Sequence, residues 1–394
     1  MVKIISKKQI NIENAYGSHK GNWGDLPIFQ GDYINFGYWR NISSGKEITV
    51  EDRIKSSASL YSYVISKLNV SMSDTVLELG CGRAVGMFDA FQYMNMSKII
   101  GIDISKSQTD RAETKKNRRE NQNLREKLKA EKIKQDLESL EKQWDLALSN
   151  IQYEKEEFKQ EMKILSQEID KLLNSKESKI LEEKLDTFTN DIKEETALEQ
   201  FKHEWTKNLQ ENKQKIDKTI KTKNEMTRKI SSTEFLLSSA DLTGLEDNEV
   251  DKIYSIEVFQ HIEDFNALAA EIKRILAPDG IVSFCAHLST SHSSYNKLSQ
   301  ENLLIDEIEI LVPVDEVARA FKNNGFNVDY HSIGEHVFEK YDQWVTQSGT
   351  TALVSHNIYN SYKSGYIEYY VFVMNKLAGE INNTEMPVYN KDEL

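Results

Sequence analysis

Cysteine is scarce: the 394 residues include two, Cys81 and Cys285. Two cysteines supply neither a disulfide framework nor a structural metal cluster, and they suit a reducing, cytoplasmic compartment. No apolar run is long enough to span a bilayer. The opening stretch, MVKIISKKQI, lacks the apolar core of a secretory signal. The final Lys391-Asp392-Glu393-Leu394 matches an endoplasmic-reticulum retention address, but that address acts only on chains that have entered the secretory pathway. Positive charge is in deficit, with a net of −13, which excludes broad contact with a nucleic-acid backbone. Most telling is what is missing between Gly101 and Gly244. All 17 glycines and all 4 prolines lie outside that interval. These residues punctuate turns, so their absence predicts long uninterrupted helix.

Apolar residues within this interval recur at alternating steps of three and four. One series is Ile133, Leu137, Leu140, Trp144, then Phe158, Met162, Leu165, Ile169 and Leu172. A second is Leu181, Leu185, Phe188, Ile192, then Leu198, Phe201, Trp205, Leu209, Ile216 and Ile220. Such spacing is a coiled-coil seam. The polar break NSKES, Asn174 to Ser178, separates the two series. The pattern predicts an antiparallel helical hairpin over 111–232, each arm roughly 75 Å long at the α-helical rise.

The flanks, 1–110 and 233–380, have another texture, and 381–394 is read as a tail. DTVLELGCG and KIIGIDIS are β-type runs around a helix. After the hairpin come EFLLSSADL, VDKIYSIEV, the helix FNALAAEIKRILAPDG and the strand IVSFCAHL. VDEVARAFKNNGF reads as a helix ending at Gly325, and NVDYHSI with YIEYYVFVMNK as a closing strand pair. Strands alternating with helices imply an α/β domain with a parallel sheet covered on both faces. The hairpin therefore interrupts one domain after its second strand.

LELGCGRAVGMF, Leu77 to Phe88, reads as strand, glycine turn and helix. Glycines let a ligand approach the backbone, and a helix N-terminus favours polar or anionic groups. Asp103 ends the next strand, where a carboxylate can accept both ribose hydroxyls. Ala240-Asp241 follows a further strand in SSADLTGL. With VDKIYSIEVFQHIED and LAPDGIVSF completing the order, the chain resembles class I S-adenosylmethionine-dependent methyltransferases over roughly 30–110 and 233–376. A dehydrogenase also uses a Gly-x-Gly turn and an acid, but the later runs fit the methyltransferase pattern better. The resemblance implies a Rossmann-like seven-stranded sheet and S-adenosylmethionine as cofactor. It places Glu78, Gly80 and Gly82 at the methionine and ribose end. Asp103, with Ile104 after it, falls at the ribose, and Asp241 with Leu242 at the adenine. Ala84 stands where the glycine pattern has its third member.

Upstream, GDYINFGYWR, Gly31 to Arg40, resembles the NFGYW segment of a subgroup that methylates small molecules. That resemblance puts Tyr38 near the methionine end of the cofactor, with Phe36 and Trp39 as pocket walls. In this subgroup a histidine matching His261 faces the substrate as general base, a task suited to imidazole near neutral pH; otherwise it merely packs. Glu257 is the cofactor-side carboxylate of the same loop, and Phe259 lies beside it. His287, at a strand end, is a second catalytic candidate. Tyr341 and Trp344 fall in the region that covers the substrate in this subgroup, and no metal ligand set is expected.

From Arg111 to Ile230 the net charge is +2, unevenly placed. Arg111 to Lys134 carries ten basic and four acidic residues, and Lys213 to Lys229 seven and two. This is either a solvated surface or a basic collar that recruits an anionic or carrier-bound substrate. Large apolar residues along the arms predict a homodimer through the coiled coil. A different class stays open beside the enzyme: a scaffold that uses the hairpin to bind partners around a non-catalytic cofactor-binding core.

Overall fold

The computed structural model describes residues 25–42, 47–91, 94–149, 195–300, 311–349 and 353–377, with isolated helical positions between 150 and 194. The chain divides into two compact units, 1–117 with 232–394, and 118–231.

The first unit is built on seven strands: β1 (Thr75–Leu79), β2 (Lys98–Asp103), β3 (Thr233–Leu237), β4 (Val250–Ile256), β5 (Leu276–Ser289), β6 (Phe326–Ser332) and β7 (Ile367–Lys376). They form one sheet in the order β3-β2-β1-β4-β5-β7-β6. Pairings from β3 through β5 are parallel, and β7 runs antiparallel between β5 and β6. Strand order reverses between β1 and β4, which opens a crevice at their carboxyl ends. The central strands read as near-continuous apolar runs because both faces are covered. Leu77, Leu79, Ile100, Ile253, Val282 and Phe284 are all buried. Phe284 stacks between Phe259 and Phe372, with centroids 3.6 and 4.5 Å away.

The helices of this unit have local causes. α1 (Val50–Ile65) starts in a capping box, with Asp52 N–H donating to Thr49 Oγ1 and Thr49 N–H to Asp52. α2 (Val85–Ala90) opens directly from the glycine turn after β1. The long α3 (Lys106–Ser149) follows β2, and α4 (Glu195–Ser231) leads into β3. α5 (Phe265–Ile275) is capped by Asp264, which accepts from the amides of Asn266 and Ala267. The expected continuation of that helix through LAPDG does not form. Leu276 already pairs with Val250, and the register then shifts before Lys252 meets Ile281. α6 (His292–Gln300) follows β5. α7 (Val314–Asn323) begins after Pro313 and stops before Gly325, whose φ is +81°. α8 (Phe338–Gln347) and α9 (Leu353–Lys363) precede β7.

In the second unit, residue contacts pair α3 with α4 in opposite chain directions. Asn123 donates to the Lys223 carbonyl at 2.8 Å and to Thr227 Oγ1 at 2.7 Å. Lys134 pairs with Asp217 at 2.7 Å, and Lys213 with Glu141. Trp144 and Trp205 stack at 4.0 Å and are both buried. The NSKES break, the apolar positions 158, 162, 165, 169, 172, 181, 185, 188 and 192, the side chains of Leu198 and Phe201, and the 381–394 tail lie outside the described residues. No described helix is long and apolar enough to cross a membrane.

Candidate functional site

The carboxyl ends of β1, β2 and β4 surround a cavity of about 270 Å³. Its floor is the glycine turn. Gly80 has φ +72°, and a Cβ there would come within 2.2 Å of Val258. Gly82 has φ +50°, and a Cβ there would meet no heavy atom within 4 Å. Ala84 also takes a left-handed conformation, at φ 57°. A non-glycine residue there carries a local cost of about 1–2 kcal/mol. Asp103 fixes the turn from the next strand: Gly82 N–H donates to Oδ2 and Ser105 N–H to Oδ1, both at 2.8 Å.

Gly80, Gly82, Asp103, Ile104 and Asp241 all border the cavity. Asp241 accepts from the Ser239 hydroxyl. Leu242 lies outside the lining and is 56% exposed. Glu78 also lies outside it, fully buried beneath the floor. There it accepts from the Tyr254 hydroxyl at 2.9 Å. Burial pushes its carboxyl up to about 8, against hydrogen bonds from Tyr254 and Tyr61.

Residues Ile28 to Trp39 form a strap over one side. Phe29, Asp32, Tyr33, Ile34 and Phe36 contribute to the lining. Arg53, fully buried on α1, holds this strap. It donates to the carbonyls of Ile28 and Asn35 and to the hydroxyls of Ser56 and Ser57. Burial lowers its pKa to about 10. Trp344 donates to the Ile28 carbonyl at 2.9 Å, and Trp39 to the Phe36 carbonyl at 3.0 Å. Tyr341 stacks on Phe36 at 4.3 Å. Trp39, Tyr341 and Trp344 thus brace the strap from behind, outside the lining. Tyr38 is likewise outside, stacked on Tyr63 at 4.6 Å. Within the strap Asp32 pairs with Arg83 at 3.3 Å and Lys115 at 2.8 Å.

Glu257 ends the β4 segment with φ 55°, a conformation that costs a non-glycine residue and recurs at functional sites. Phe36 N–H and the Tyr369 hydroxyl both donate to its Oε1, each at 2.7 Å. Gln260 Nε2 donates to its backbone carbonyl at 2.8 Å. Burial raises the Glu257 carboxyl to about 7, opposed by His287, those two donors and Arg53. His261 closes a helical turn, Phe259–His261, and borders the cavity with Glu257. His287 is fully buried and stacks on Phe36 at 5.1 Å, behind the lining. Phe259 packs in the core below.

The cavity also recruits Tyr33, Tyr61, Arg83, Gln108 and Gln260, which no motif singled out. Tyr33 lay in plain view in GDYINFGYWR, and Arg83 inside the glycine turn. Tyr61 is invisible in sequence, because its ring is brought in by packing over Gly86.

A family model described as a methyltransferase domain matches residues 51–331. No curated protein matches the sequence. The fold resembles the geranyl diphosphate C-methyltransferase of Streptomyces coelicolor A3(2), solved with Mg2+, geranyl-S-thiolodiphosphate and S-adenosyl-L-homocysteine. Identity is 12%, coverage is 94% of this chain and 99% of that one, and the TM-score is 0.56. A geranyl diphosphate methyltransferase complexed with GPP and sinefungin is similar at 11% identity, 94% and 100% coverage, and a TM-score of 0.53. Likeness at such identities speaks for the fold.

Proposed function

The chain belongs to the methyltransferase-domain family, and from that premise we propose that it is a class I enzyme methylating a small-molecule acceptor with S-adenosylmethionine. The observation that carries this is the convergence of the Gly80–Gly82 turn, Asp103 and Asp241 on one cavity. The residues fit the cofactor. The space beside Gly82 is open, and Asp103 stands at the turn with an amide on each oxygen, the position from which a carboxylate meets a ribose diol. Asp103, Ile104 and the two glycines would hold the nucleoside, with Asp241 toward the base. When bound, the sulfonium supplies an electrophilic methyl group. The chain's own share is to orient the acceptor, exclude water beneath the strap and take up a proton. Glu78 supports the floor from below, and Tyr38 braces the strap from behind it.

His261 and Glu257 both line the cavity and are side chains of a type that accepts a proton. We assign the role to Glu257. Two donors fix one of its oxygens, and its strained backbone is pinned by Gln260. His261 then shapes the loop, and His287 supports Phe36. In sequence terms the strap is the NFGYW segment, and α3 with α4 forms the two arms of an inserted antiparallel coiled-coil hairpin, supported by their oppositely ordered contacts.

Calorimetric titration with S-adenosylmethionine tests the reading. Asp103→Ala is expected to weaken binding by about 1.5–3 kcal/mol, the worth of hydrogen bonds to a charged group. Unchanged affinity would remove Asp103 from the site.

A further inference from the structure

The charge on the cavity wall bears on which acceptor it takes. Among the described residues, six carboxyl-bearing side chains line it: Asp32, Asp103, Asp241, Glu257, Glu263 and Asp264. Against them stands one arginine, Arg83, and no lysine. Arg83 is already engaged, with its terminal nitrogens on Asp25 at 2.5 Å and on Asp32 at 3.3 Å. Besides backbone amides or a metal ion, a phosphate or diphosphate in a low-dielectric cleft is held by a guanidinium or ammonium partner. The described lining offers no uncommitted one.

The carboxylates divide by role. Asp32 is neutralised by Arg83 and Lys115, and Asp264 caps α5. Asp103 and Asp241 serve the nucleoside in the reading above. Glu257 remains. The donors Phe36 and Tyr369 both fall on Oε1, and His287 and Arg53 act on the same carboxyl. Tyr33 and Tyr61 border the same cavity, and aromatic faces attract cations.

We propose that the methyl acceptor is a small molecule bearing an amino nitrogen, bound as its ammonium form against the Glu257 carboxylate under the aromatic strap. This rests on the methyl-transfer reading and narrows it to nitrogen. The ammonium gives one proton to the Glu257 carboxylate. The freed lone pair forms the new N–C bond as the donor's S–C bond breaks, and a methylated ammonium and a neutral thioether remain. The elevated carboxyl of Glu257 suits this step, because an arriving cation restores its charged form and the burial that raised it favours taking the proton back. On the described wall a phosphate or diphosphate ester would meet carboxylates, which makes these esters the disfavoured class.

The test uses the full chain saturated with S-adenosylhomocysteine and three size-matched fragment sets: amines, alcohols and phosphate esters, read by ligand-observed NMR. Amines are expected to dominate the hits, and Glu257→Gln to weaken them roughly tenfold or more. Because Glu257→Gln can disturb the fold, Gln260→Ala is run beside it. It loosens the Glu257 backbone and is expected to weaken amines while leaving alcohols unmoved. Preferential binding of phosphate esters overturns the proposal. Equal behaviour of the three classes, including no hit in any, overturns it too. Failure of S-adenosylhomocysteine to bind at all instead overturns the methyl-transfer reading, so the two failures are distinct.

Discussion

Glu257 and Glu78 are both carboxyls raised by burial, yet they have different uses. Glu257 borders the cavity, and its neighbours are Arg53 on α1, Phe36 N–H on the strap, His287 and Cys285 on β5, and Tyr369 on β7. As a base it must be ionised, so kcat/KM is expected to rise through about pH 7 and level above it. Glu257→Gln should abolish that acid limb and lower turnover by about 10²–10⁴-fold, whereas His261→Ala should cost less than about tenfold. The reverse ranking would return the base to His261. Glu78 lies buried beneath the floor and accepts from the Tyr254 hydroxyl. Its folded pKa of about 8 exceeds the ordinary 4.5, so the native state keeps a proton the unfolded chain releases. Its neutral form stabilises fully below about 4.5, and that contribution is lost as pH rises toward 8. Glu78→Gln retains an acceptor for Tyr254 without the ionisation. Its stability, followed by thermal unfolding at each pH, should therefore gain on the wild type progressively between pH 5 and 8, by on the order of a few kcal/mol at the upper end. A pH-independent difference would show that Glu78 ionises as freely folded as unfolded.

The strap is the element most dependent on distant support. Its residues lack a regular ladder of their own, and Arg53 supplies hydrogen bonds to carbonyls at both ends, Ile28 and Asn35. Replacing it with an apolar chain of similar length, Arg53→Met, leaves those carbonyls without their buried donor. Losing one charged hydrogen bond costs about 1.5–3 kcal/mol, which raises the open population roughly tenfold or more. Chymotrypsin should then cut within 28–39, at Phe29, Tyr33, Phe36 or Trp39, at least about tenfold faster than in wild type. An unchanged rate would mean that Trp344 and Tyr341 suffice to hold it. The helices of the second unit rest on different support. Trp144 and Trp205 bury each other, so the aromatic surplus that suggested a further partner is partly consumed within the pair. Leu124 and Leu128, 50% and 54% exposed on α3, remain as apolar surface.

At the scale of the molecule, the two ends of the insertion must meet one sheet, because β2 and β3 are adjacent and parallel. Replacing Glu120–Met226 with a short Gly/Ser linker is therefore expected to leave a folded domain that still binds the cofactor. We expect the full chain to be a homodimer through the hairpin and the deleted form a monomer, by light scattering. Two monomers would leave the exposed leucines to another partner or to solvent.

How much of this was legible beforehand follows from the range of the forces involved. Backbone punctuation is local: glycine at positive φ, a proline- and glycine-free run, and apolar alternation specify turn, long helix and strand within a few residues. Hence the sheet, the Gly80–Gly82 turn, Asp103, Asp241 and the long helices could all be read in order along the chain. The sequence by itself thus determined the architecture and the motif residues Gly80, Gly82, Asp103 and Asp241 that border the cavity. Only the tertiary structure decided the surroundings of Glu257. Glu257 acquires its character from Phe36, 221 residues earlier, and Tyr369, 112 later. The same packing withdrew Glu78, Tyr38, Phe259 and His287 from the cavity and brought in Tyr61 and Arg83. Burial and charge balance depend on what converges in space, and no local pattern encodes convergence between segments whose order is set by the topology of the sheet.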